Sequence, residues 1–107
     1  MDGIEVIIGG KLIEMGITPN LDGFRYIIES VKLLLVDESM NAMDIYEIVA
    51  EVRGVTAHRV ERSIRTAFAS ANKDSCIYNL YFGTLAKKSN INCMSIIAWN
   101  IRNVIGG

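Results

Sequence analysis

The sequence predicts an all-α protein, a compact bundle of five to six helices. Three observations lead there. Apolar residues recur at three- and four-residue spacing along most of the chain, no stretch alternates polar and apolar side chains as a half-buried strand would, and the breaks between periodic segments are short and rich in turn-forming residues. At 107 residues, half of them hydrophobic, the chain can build one core and is too short for two ordinary domains, so a single domain over 1–107 is expected.

Ile4, Ile8, Leu12 and Met15 share one face and predict a first helix over about residues 3–15, weakened by up to about 1 kcal/mol at each of Gly9 and Gly10. "MGITPN" stops it, and Asp22 is expected to cap the second helix. Phe24, Ile27, Ile28, Val31, Leu34 and Leu35 form a wide apolar stripe there. After "VDESMN" a third helix should turn Ile45, Ile48, Val49 and Val52 inward and leave Glu47 and Glu51 in solvent. The chain then turns at Gly54 and Val55, and Thr56 caps a fourth helix of about residues 57–71, ended by Asn72 to Asp74. "CIYNLYF" is a short apolar segment closing at Gly83, and "AKKSN" is a polar connector. The last helix is expected to begin at Asn92 as its cap, with Met94, Ile97, Ile101 and Ile105 on one face and Trp99 on another.

Several function classes are excluded at this level. The amino terminus is acidic, with no basic region, and apolar runs such as "LLLV" fall far short of the roughly 20 residues a bilayer span needs. A cytoplasmic protein without a membrane partner is expected. Cys76 and Cys93 have no neighbouring histidine, so no metal site is expected and both thiols should be reduced and buried. Met40, Met43 and Met94 read as core filler. "GGK" at 9–11 lacks the remaining positions of a phosphate loop, the lone histidine, His58, has no nucleophile near it in sequence, and no cofactor motif occurs. No enzyme is expected.

Charge is distributed unevenly beneath a net value of −1. Residues 1–52 carry ten acidic and three basic side chains, and residues 53–107 carry eight basic ones against Glu61 and Asp74, so −7 is followed by +6. Screening over about 8 Å lets a polyanion meet the basic half without much repulsion from the other.

That basic half contains "GVTAHRVERSIRTAFASA" at 54–71. At about 100° per residue, Val60, Ile64, Ala67 and Ala71 share one side, widened by Ala57 and Phe68. His58, Arg59, Arg62, Arg65, Thr66 and Lys73 take the other, with Glu61 at its edge. An exposed helix ordinarily mixes signs to form i,i+4 pairs; this face is dominated by cations and suits an anion. The preceding spacing, Ala50-xxx-Gly54-Val55-Thr56-xxx-Val60, fits a helix-turn-helix over about 44–71: a small residue at the crossing, a glycine free to take positive φ, and apolar residues locking the second helix to the first. Arginine can donate two bonds to guanine O6 and N7, and glutamate can accept from cytosine N4. Thr56 and the free amides at the helix start suit a phosphate. Double-stranded DNA is the partner these features indicate. The competing reading is a helical protein-interaction module that keeps the fold without binding DNA.

"TAHRVERSIRTAF", the preceding "IVAEVRG", the upstream "EMGITPNLDGFRYIIESV" and the downstream "LYFGT" together resemble the carboxy-terminal DNA-binding domains of the stage zero sporulation protein A response regulators. The resemblance covers roughly residues 6–103, and "RVERSIR" after a capped turn is its most specific piece. It implies a six-helix fold with a helix-turn-helix, regulation of sporulation genes, binding to duplexes with a TGTCGAA-like core by tandem protomers, and RNA polymerase as a further partner. By position it implies that Arg59, Glu61 and Arg62 approach base edges or adjacent backbone and that Arg65 meets a phosphate; His58 and Lys73 are backbone candidates. Two departures stand out. Thr66 occupies a position where the family commonly has histidine, and "INCMS" replaces a Pro-Thr helix start, with Ser95 unable to complete a capping box. No receiver domain is expected within these residues, so phosphorylation control should lie outside them.

Overall fold

The computed structural model describes residues 2–106, which form six α-helices and, among the described residues, no strand. These are α1 Gly3–Glu14, α2 Asp22–Val36, α3 Ala42–Arg53, α4 Ala57–Ala69, α5 Cys76–Phe82 and α6 Asn90–Ile105. The predicted all-α bundle is thus what the chain builds, and "CIYNLYF" forms its fifth helix, capped by Ser75.

The apolar stripe of α2 explains the architecture. Phe24, Ile27, Ile28, Val31 and Leu34 are all buried, and the helix packs against α1, α3, α4 and α6. Ser30 lies on the same buried face, its hydroxyl donating to the Tyr26 carbonyl at 2.7 Å, which satisfies the one polar atom it brings inside. From α1 come Ile8, Leu12 and Met15, from α6 Met94, Ile97 and Ile101, and from α5 Phe82, which receives the edges of Phe68, Tyr78 and Tyr81. Gly9, expected only to weaken α1, is buried facing Phe24 and Ile28 of α2. The α1–α2 turn docks on the α4–α5 turn, where the Asn72 amide donates to the Met15 carbonyl at 2.8 Å and the Ser75 hydroxyl to the Glu14 carbonyl, also at 2.8 Å.

Several boundaries and burials differ from the sequence expectation. Asp22 is the first residue of α2 and not its cap; Leu21 holds that position and supplies no side-chain bond. Asn92 likewise lies inside α6, where its amide donates to the true cap, Ser89. In α3 the inward face is Ile45, Tyr46, Val49 and Ala50, leaving Ile48 39% and Val52 68% exposed. The helix sits at the edge of the bundle and needs only the narrow stripe that meets α2 and α4. Ile4, Ile105 and Met43 are exposed for the same reason of position, and Cys76, on the outer side of α5, is exposed while Cys93 is buried. No described helix is long and apolar enough to cross a membrane.

Candidate nucleic-acid interface

The arginine face is positioned by the turn before it. Gly54 adopts φ 67° and ψ 34°, a left-handed conformation that glycine enters without steric penalty, and the amides of Gly54 and Val55 both close on the Ala50 carbonyl. Thr56 follows in extended conformation, and its Oγ1 accepts from the Arg59 amide at 3.1 Å, capping α4 with a bond that contributes about 1 kcal/mol. Helix α3, the three-residue turn and α4 thus have the helix-turn-helix layout that the spacing predicts.

Val60, Ile64, Ala67 and Phe68 bury one side of α4 against the core, each large side chain contributing about 1.5–3 kcal/mol. That fixes the opposite side outward: His58, Arg59, Arg62, Arg65 and Thr66 are all exposed, and Glu61 is half-buried at the edge. Two further contacts hold the helix in place. At the crossing with α2, a Cβ added to Gly23 would lie 2.1 Å from the Ser63 carbonyl oxygen, so only hydrogen fits there. From α6, the Asn90 amide donates to the Glu61 carbonyl at 3.1 Å and to the Tyr46 hydroxyl at 3.2 Å, tying α6 to both helices of the pair. Burial pushes the Tyr46 hydroxyl above its ordinary range, so it stays protonated across the neutral range.

Thr56, His58, Arg59, Arg62 and Thr66 line one open groove of about 570 Å³, closed on the far side by Leu21, Asp22 and Gly23 of the α2 start. Arg65 lies around the helix in a smaller hollow of about 240 Å³ with Lys73, Lys88 and Asn90. Lys73 is not on the helix face as the wheel would have it, because α4 ends at Ala69. Its ammonium turns back to donate to the carbonyls of Phe68, Ala69 and Ala71 at 3.1, 3.3 and 3.2 Å and lies 4.8 Å from the centre of the Tyr78 ring, where its charge favours the helix carboxyl end.

The expected self-repulsion of the arginines is relieved within the molecule. Arg65 donates to Glu61 at 2.6 Å one turn away, and Arg59 lies 3.4 Å from the Asp22 carboxylate across the groove. Both guanidinium groups nevertheless stay in solvent, at 61% and 63% exposure, and such exposed pairs contribute only about 0–1 kcal/mol. Arg62 has no carboxylate partner among the described residues. The groove wall at Leu21–Gly23 and the lysine at 88 were not legible in the periodicity, since neither lies on α4. Lys88 was visible only as half of "KK" in a polar connector.

Residues 8–105 match the family described as Sporulation initiation factor Spo0A C terminal. The chain belongs to this family. The resemblance carried by "RVERSIR" and its surroundings is therefore borne out over nearly the whole length, and the match takes in α3, the turn, α4 and the bulk of the supporting helices. The family is one of DNA-binding sporulation regulator domains and not of enzymes. No individual curated protein gave a significant match.

Proposed function

We propose that this chain acts as a single effector domain that binds double-stranded DNA in a sequence-dependent way, with α4 in the major groove, and regulates the transcription of sporulation genes. The observation that carries the reading is the division of α4. One side is locked into the core by Val60, Ile64, Ala67 and Phe68, and the other presents Arg59, Arg62 and Arg65 to solvent. A helix held this way can enter a groove about 12 Å wide without unpacking the domain. Arg62, free of any carboxylate among the described residues, is placed to donate to guanine, with Arg59 and Glu61 beside it at the groove's base edges. Arg65 is assigned to the phosphate backbone, with His58 and Thr56 as flanking backbone contacts and Thr66 at the edge of the same groove, while Lys73, its ammonium donating to three carbonyls, is left to close the end of α4. A TGTCGAA-like box, tandem protomers on DNA and an encounter with RNA polymerase are further parts of this proposal, supported by the resemblance alone.

The test is a binding titration of a TGTCGAA-containing duplex and its scramble at several salt concentrations. Preference for the first is expected, with a log–log salt slope near −0.9 per phosphate neutralised. Arg62→Ala and Arg59→Ala should relax that preference, each lost base contact removing about 1–3 kcal/mol of discrimination, whereas Arg65→Ala should weaken both duplexes alike. Equal affinity of the unaltered chain for the two duplexes would refute the reading and favour a protein-interaction module.

A further inference from the structure

Arg59 is the one arginine of the exposed face held by a different element. Its partner, Asp22, is the first residue of α2, and the next residue, Gly23, packs directly against the Ser63 carbonyl of α4, so the Asp22 backbone lies beside the helix that carries Arg59. The Asp22 carboxylate thus forms part of the wall of the groove that Arg59, Arg62 and Thr66 line. Glu61, by contrast, pairs with Arg65 along the same helix and moves with it. Any duplex that engages Arg59 must first draw its guanidinium away from Asp22.

On the reading proposed above, we infer that Asp22 is a built-in competitor for Arg59 that holds its guanidinium back from DNA and so tempers binding, most of all to the duplex whose bases Arg59 reads. A carboxylate 3.4 Å from the guanidinium and 62% exposed makes a pair weak enough to be displaced, so it tempers affinity without abolishing it. It also cancels one positive charge of the face, which lowers the number of counterions the duplex releases. The role differs from that of an ordinary first-turn acid, which favours its helix electrostatically and leaves ligand binding alone.

Asp22→Asn keeps the side chain's shape and removes its charge. It should tighten binding to the TGTCGAA-containing duplex about two- to fivefold near 0.1 M salt and to the scramble by a smaller factor, since the released Arg59 reads base edges, and steepen the salt slope by up to about 0.9. Introduced on an Arg59→Ala background, the same change should give less than half that gain, since the competition acts through Arg59. Unchanged or weakened binding with an unchanged slope, or a full gain without Arg59, would overturn the inference even where the unaltered chain prefers its cognate duplex. Absence of that preference in the unaltered chain would instead remove the reading on which it rests.

Discussion

Cys93 and Cys76 look alike in the sequence and differ sharply in the fold. Cys93 is buried on α6, and burial pushes its thiol up to about 11, while Cys76 stands in solvent on α5. A thiol-specific reagent needs both access and thiolate. At pH 8 one cysteine of the native chain should react quickly and the second only after denaturation; two equally fast thiols in the native state would contradict the packing of α6. Nothing in the spacing of the two residues could separate them, because which flank of a seven-residue helix meets the core depends on where Phe82 is received. The arginine positions are different in kind. Their grouping on one side of α4 was readable from a 3.6-residue period, while their partners, Asp22 and Glu61, divide between one that the same period exposes and one that only the tertiary fold brings near.

Among the elements, α2 and α4 form the contact on which the exposed face depends. The crossing is so close at Gly23 that an added methyl would meet the Ser63 carbonyl at 2.1 Å and the Ala67 Cβ at 2.7 Å. Backbone atoms and a buried alanine cannot yield as a flexible side chain can. Gly23→Ala is expected to destabilise the fold by about 3 kcal/mol, read from chemical denaturation; a loss below about 0.5 kcal/mol would show that the helices separate easily. Gly54 illustrates the opposite case: open space surrounds it and only its positive φ asks for glycine. The sequence pattern marked Gly54 because a turn residue has a local signature. Gly23 carried none, since close approach is a property of two segments forty residues apart in the chain. The misplaced helix starts have a similar cause. Asp22 and Asn92 are good caps by residue type, but a cap is chosen by where the chain changes direction. The stretch before α6 offers Ser89, Asn90 and Asn92 in competition, and Asn90 is drawn off to Tyr46 and Glu61.

At the scale of the whole molecule, the end of the bundle where α1 starts and α2 and α6 finish is tied by charge. Asp2 caps α1 through the Glu5 amide at 2.8 Å and accepts from the Lys32 ammonium of α2, also at 2.8 Å. That lysine holds the Asp2 carboxyl below its ordinary value. Since the folded chain binds this proton less tightly than the unfolded one, the contribution is complete above the ordinary carboxylate range and is lost as pH falls through the depressed value. Melting temperature should therefore decline on acidification below about pH 4, and Asp2→Asn should shrink the decline; an identical decline in both proteins would dissociate Asp2 from acid stability. At the same end, Arg102 donates to the last turn of α2 at Leu34, 3.0 Å away, and pairs with Glu38 at 3.2 Å. The overall bundle was predictable because its periodicities are long and mutually consistent, and the edge placement of α3 was not, because an exposed Ile48 or Val52 looks like any other apolar residue until its neighbours are known. The seam between α2 and α4 admits only hydrogen at Gly23, so the height of the exposed helix above its support is set by one residue of another element. A side chain any larger than hydrogen at that seam would push the exposed helix outward, and with it the guanidinium arms that meet an approaching surface.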